Sequence, residues 1–166
     1  MCGILACFSP RGEPVDTETF RGLLDTLQHR GPDDSGIWSL PEAGVVMGHR
    51  RLSILDLSPL GHQPMHCCGG RWTLLYNGEI YNWKDMRDRL VSAGVSFRST
   101  SDTEVLLEGI SKWGLEATLR QCVGVFAIAV WDREERKMYI ARDRMGEKPL
   151  YYGWKNGTWW IASELK

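Results

Sequence analysis

The first residue with chemistry to offer is Cys2. Initiator methionine is usually trimmed before a small residue, and trimming would leave a thiol and a free α-amine on this one cysteine. An α-amine with a reference pKa of ~7.7–8.0 can take a proton from a thiol near ~8.5, directly or through one water. Nucleophile and base then share a residue. A second group is Asn77-Gly78-Glu79. A side-chain amide and the N–H that follows it are two donors that can converge on an oxyanion. Asn-Gly is also the commonest hairpin pair, and the residues alone favour that turn. Arg51 suits a carboxylate bidentately, and Asp102 suits an ammonium. Taken singly, a surface charge and a helix N-cap are their plainer readings. Arg50 and Arg51 are neighbours in an expected strand, so they face opposite sides and at most one lines a pocket.

The elements that would position these residues follow from pattern. Ile4–Phe8 is a short apolar run of buried-strand type, broken by Pro10 to Pro14. Asp16 or Thr17 starts a helix with Phe20, Leu23, Leu24 and Leu27 on one face, ending near His29-Arg30-Gly31-Pro32. Ile37–Ser39 and Val45–Leu52 are expected strands joined by a Glu42-Ala43-Gly44 turn, and Ser58–Gln63 is a Pro/Gly loop. Trp72–Tyr76 is a β run expected to stop at Asn77-Gly78, followed by a helical pattern over Ile80–Ala93. Asp102 is placed to cap a helix over Thr103–Trp113. Val123–Asp132, Lys137–Arg142, Tyr151–Trp154 and Trp159–Ala162 are further strands, with hairpin turns at Asp132–Arg136 and Lys155–Gly157. Strands at both ends and helices between them make the chain α+β. Eight tryptophans are expected mostly in the core.

At 166 residues the chain has the length of one domain, spanning residues 1–166. It ends at Ser163-Glu164-Leu165-Lys166 without a turn or tail, as a piece of a longer chain would. A net charge of −1 gives no general attraction to nucleic acid or to an anionic membrane. There is no apolar run of membrane-spanning length and no signal peptide, so the expected location is cytoplasmic. Five cysteines at spacings that fit no zinc signature are expected to be reduced and mostly inert. The Cys67-Cys68 pair leaves open a metal-binding or redox-sensing role, although no partner stands at a suitable spacing.

Eight ordered blocks carry a resemblance over nearly the whole chain. They are Met1-Cys2-Gly3-Ile4, His29-Arg30-Gly31-Pro32-Asp33, Gly48-His49-Arg50-Arg51-Leu52-Ser53-Ile54, Asn77-Gly78-Glu79-Ile80-Tyr81-Asn82, Ser101-Asp102-Thr103-Glu104, Gly124-Val125-Phe126-Ala127, Ala141-Arg142-Asp143-Arg144 and Lys148-Pro149-Leu150-Tyr151-Tyr152. In this order they resemble the glutaminase domain of glutamine-dependent asparagine synthetases, a class II (N-terminal nucleophile) amidotransferase domain. The resemblance implies a four-layer α-β-β-α sandwich of two antiparallel sheets. It implies Cys2 as nucleophile, with Asn77 and Gly78 as oxyanion hole. Arg51 would hold the carboxylate of L-glutamine, Asp102 and Glu79 its amine, and Leu52 and Ile54 would offer backbone contacts. Arg30-Gly31 would lie beside the new N-terminus. Cys7 and the Cys67-Cys68 pair depart from the pattern without touching these roles. No cofactor is implied for glutamine hydrolysis; ATP and Mg²⁺ are expected only in a synthetase half, in the same or a partner chain. Aspartate is the default ammonia acceptor, and sugar acids or secondary metabolites are alternatives. A docking module that retains Met1 is the non-catalytic alternative.

Overall fold

A computed structural model describes residues 1–54 and 56–165; Leu55 and the expected terminal residue Lys166 lie outside it. Nine strands and four helices occur among the described residues. They are β1 (Gly3–Phe8), α1 (Thr17–Asp25), β2 (Asp34–Leu40), β3 (Val45–Arg51), β4 (Met65–Cys67), β5 (Trp72–Ile80), α2 (Trp83–Ser92), α3 (Asp102–Trp113), α4 (Leu115–Gln121), β6 (Gly124–Asp132), β7 (Lys137–Arg142), β8 (Tyr151–Lys155) and β9 (Thr158–Ala162). One sheet has the order β2-β3-β1-β9-β8 and the other β4-β5-β6-β7, and every pairing is antiparallel.

Side-chain alternation sorts the core into three apolar layers. Ile4, Ala6, Val45 and Met47 meet Leu75, Ala129 and Trp131 between the sheets. Leu5, Cys7 and Val46 point the other way, against Phe20, Leu24 and Leu27 of the α1 region. Leu74, Tyr76, Ile128 and Val130 face Met86, Leu90, Leu106 and Ile110 of α2 and α3. The result is the expected α-β-β-α sandwich.

Several boundaries differ from the sequence reading, each for a physical reason. Asn77-Gly78-Glu79 is not a turn: β5 runs on through Ile80, paired residue for residue with Gly124–Ala127 of β6. The ladder continues where Tyr81 N–H donates to Val123 O at 2.7 Å, and Asn82 brackets the segment through Gln121 O and Val123 N. Helix α2 therefore starts at Trp83 rather than Ile80. Helix α1 ends at Asp25, because i→i−3 turns carry the chain from Thr26 to Gly31. Ser101 caps α3 instead of Asp102: its Oγ accepts from Thr103 N at 3.1 Å, and Asp102 is the first helical residue. Strand β4 and helix α4 were not foreseen; at three and seven residues they are too short to show a period. As expected, most tryptophans belong to the core: Trp72 and Trp131 are buried in it and Trp38, Trp83, Trp113 and Trp160 pack against it, whereas Trp154 and Trp159 are exposed on the β8–β9 hairpin. The hairpin turn at Lys155–Gly157 is as expected, with positive φ at Asn156 and Gly157.

Candidate active site

The parity that builds the inter-sheet core also aims the candidate residues. Two residues before Ile4 comes Cys2, two after His49 comes Arg51, and two after Leu75 comes Asn77. All three continue rows that face the opposite sheet, at the end of the sandwich where α3 begins. There a pocket of about 130 Å³ is lined by Cys2, Arg51, Leu52, Ile54, Asn77, Gly78, Glu79 and Asp102. All eight residues expected from the sequence thus meet at one place. Met1, Asp56, Gly61, Gln63, Tyr76, Ser101, Thr103 and Lys148 complete the lining. Sequence reasoning missed these as site residues. The alternation of β5 could not have found Tyr76, which belongs to the row opposite Asn77. Lys148 sat in a matched block with no role attached.

Cys2 Sγ accepts from Leu52 N at 3.4 Å and lies 3.7 Å from Leu52 O. Burial pushes its thiol upward, opposed by the Leu52 contact, the terminal ammonium, Arg51 and Arg30. At neutral pH the sulfur is therefore protonated and needs a base. Arg30 fixes the backbone here: its Nε donates to Cys2 O at 3.0 Å and its Nη1 pairs with Glu164 at 3.0 Å. Gly31 lets this segment cross β3 closely, since a Cβ there would collide with the Arg50 carbonyl.

Arg51 and Arg50 diverge as the strand geometry requires. Arg50 pairs with Asp25 beside α1. The Arg51 guanidinium, on the pocket side, donates to Ser58 O at 3.0 Å and to Asp56 O. Any side chain at Gly61 would strike that guanidinium. Asp56 ties the same loop to the approach of α3. Its carboxylate accepts from Ser58 N at 2.8 Å and from Thr100 N and Oγ1 at 3.1 and 3.2 Å. The bonds from Ser58, then those from Thr100, outweigh burial and hold this carboxyl down at about 2.

Asn77 is buried, and its Nδ2 has no acceptor among the described residues. An unpartnered amide donor inside a fold normally costs ~1–3 kcal/mol, and this one lines the same pocket as Cys2, where a ligand oxygen would satisfy it. Asp102 is buried as well. Its Oδ2 accepts from Tyr76 OH at 2.6 Å and from Ile80 N at 3.0 Å. Burial raises its pKa, and those two bonds work against the rise. Glu79 stands exposed at the rim.

The arrangement offers a nucleophile, an unpaired donor, a guanidinium and a buried carboxylate around a small cavity. All five cysteines are free, and among the described residues no group of three or more His, Cys, Asp or Glu is placed to hold a metal ion. No described helix is long and apolar enough to cross a membrane.

Comparison with known proteins agrees on the kind of domain. A family model described as a glutamine amidotransferase domain matches residues 1–166. The chain is 41% identical over 169 residues to asparagine synthetase [glutamine-hydrolyzing] 3 of Bacillus subtilis, and 38% identical over 181 residues to a putative asparagine synthetase of Mycobacterium tuberculosis. Each alignment covers the whole of this chain and 27% of the relative, so the chain spans about a quarter of the length of these proteins. Among solved structures, glutamine phosphoribosylpyrophosphate amidotransferase from B. subtilis superposes with a TM-score of 0.81 at 21% identity, over 98% of this chain and 42% of that one. At that identity the likeness is one of fold.

Proposed function

The chain belongs to the glutamine amidotransferase domain family, and from that premise we propose that it hydrolyses L-glutamine to glutamate and ammonia through a thioester on Cys2. Once Met1 is removed, the α-amine of Cys2 takes the thiol proton that burial otherwise keeps in place. Sγ attacks the side-chain amide carbon, and the oxygen becomes an oxyanion received by Asn77 Nδ2 and Gly78 N. The tetrahedral adduct collapses by losing ammonia, protonated by the N-terminal ammonium. Water then attacks the γ-glutamyl thioester and releases glutamate and the thiol. Arg51 binds the α-carboxylate, Asp102 and Glu79 bind the α-ammonium, and the backbone at Leu52 and Ile54 contacts the same end of the substrate.

The observation that carries this reading is Asn77 Nδ2, a buried donor without an acceptor in the pocket that also holds Cys2. The kinship with much longer asparagine synthetases supports the rest. Residues 1–166 act as one glutaminase domain. The ammonia passes to an ATP- and Mg²⁺-dependent synthetase half, in the same or a partner chain, most simply with aspartate as acceptor. The setting is cytoplasmic.

The test combines intact mass with activity. Protein lacking Met1 should release glutamate from glutamine. Cys2→Ala and Cys2→Ser should abolish release while leaving the thermal melt in place. Cys67→Ser and Cys68→Ser should leave the rate nearly unchanged, since Cys67 is buried in the α3–β4 core and Cys68 is hydrogen-bonded to Ser111 Oγ at 2.7 Å. Substantial turnover by a folded Cys2→Ala chain would end the assignment. Retention of Met1 on the native protein would favour the docking module instead.

A further inference from the structure

We propose that Tyr76 is a positioning residue that sets how tightly the site grips the α-ammonium of its amino-acid substrate, acting through Asp102; this rests on the glutaminase reading above. The geometry is specific. Tyr76 lies in β5, one residue before Asn77, so its side chain leaves the opposite face of the sheet and enters the layer under α3. There its hydroxyl, buried with the ring, donates to Asp102 Oδ2 at 2.6 Å. Ile80 N, four residues further along the same strand, donates to the same oxygen at 3.0 Å. One strand therefore aims Asn77 at the reacting amide and clamps the carboxylate that meets the other end of the substrate.

The clamp matters because Asp102 is buried at the start of α3. Two donors on one oxygen favour the carboxylate over the acid and fix its plane. The helix is capped independently, by Ser101, so Asp102 is not spent on that role. An ionised, fixed carboxylate is what a substrate ammonium requires. A carboxylate left to rotate or to take up a proton would bind it more weakly.

The experiment uses two substrates, L-glutamine and its des-amino analogue glutaramate, which carries the same amide and carboxylate but no ammonium. The intact protein must first hydrolyse glutamine; if it does not, the parent reading fails and Tyr76 is not at issue. Given that activity, Tyr76→Phe should raise KM for glutamine by roughly tenfold, the scale of one lost hydrogen bond to a charged group. Its kcat should stay within about twofold, because the reacting amide is not touched. For glutaramate, kcat/KM of Y76F and of the parent should agree within about twofold. On an Asp102→Asn background the Tyr76→Phe effect on glutamine should vanish.

An unchanged KM for glutamine, an equal loss with glutaramate, or additivity with D102N would each overturn the assignment. If Y76F alone is too unstable to assay, the Y76F/D102N pair removes the uncompensated charge and is compared with D102N. Failure of that pair to fold would make Tyr76 purely architectural and overturn the proposal as well.

Discussion

At the scale of single residues, Arg51 and Asp102 are held by hydrogen bonds while one buried donor of the pocket is left without a partner. Asn77 Nδ2 has no acceptor in the described structure, and on the proposed reading its partner is the charge that forms during reaction. Asn77→Ala should therefore lower kcat by ~10²–10³, about 2.7–4 kcal/mol, with little change in KM. Steady-state glutaminase kinetics give the answer, and an unchanged kcat would reduce Asn77 to a strand residue. On the proposed reading, Arg51 binds the remote end of the substrate. Arg51→Ala should raise KM, with kcat following only if the amide is misplaced, whereas Arg50→Ala should leave binding alone because its guanidinium is turned to Asp25. Damage by Arg50→Ala and none by Arg51→Ala would put the carboxylate elsewhere. The divergence of these two arginines was legible in the sequence, since side chains alternate between faces once the strand is recognised. The partner of Asp102 was not: Tyr76 and Asp102 are 26 residues apart, and only the packing of α3 on β5 brings them to 2.6 Å.

At the scale of elements, local signals found the long periodic pieces and misjudged the places where tertiary pairing overrides propensity. Asn77-Gly78 carries the strongest turn signal in the middle of the chain, yet β6 extends it into a strand. Gly78 is needed there because a Cβ would strike Val125 O on the neighbouring strand, a close approach that no single-strand pattern reveals. Gly31 is the same case between a turn and β3. Gly31→Ala should destabilise by at least ~1–3 kcal/mol through the forced shift of backbone against Arg50, and a misplaced Arg30 should reduce turnover further. Gly22, inside α1, is the counterexample. Nothing lies within 4 Å of a Cβ built on it, so Gly22→Ala should stabilise by up to ~1 kcal/mol. Each kcal/mol is worth roughly 2–4 °C in a domain of this size, so paired thermal melts resolve the opposite signs. Two shifts of the same sign would refute the close-approach argument.

At the scale of the whole molecule, the pocket sits where both sheets and α3 meet, and there the loop between β3 and β4 is tied to the approach of α3. Asp56 is that tie, and Asp102, at the head of α3, is its electrostatic opposite. The Asp56 carboxyl is held at about 2, below its usual 3.8. Its folded pKa lies beneath its unfolded one, so its contribution is complete above pH ~4 and is lost as pH falls toward 2. Asp102 is raised by burial, so its contribution is complete below its unfolded pKa and fades as pH rises through the folded one. Urea unfolding of Asp56→Asn should therefore show a deficit of about 1–3 kcal/mol at pH 7 that closes between pH 4 and pH 2. Asp102→Asn should change in the other direction, improving relative to the parent as pH rises above the unfolded value through the raised folded one. The two carboxylates share a pocket, so a general effect of net charge would move both variants the same way. Parallel pH profiles would mean that the loop and α3 are not held together by Asp56, and that the site owes its shape to the apolar layers alone.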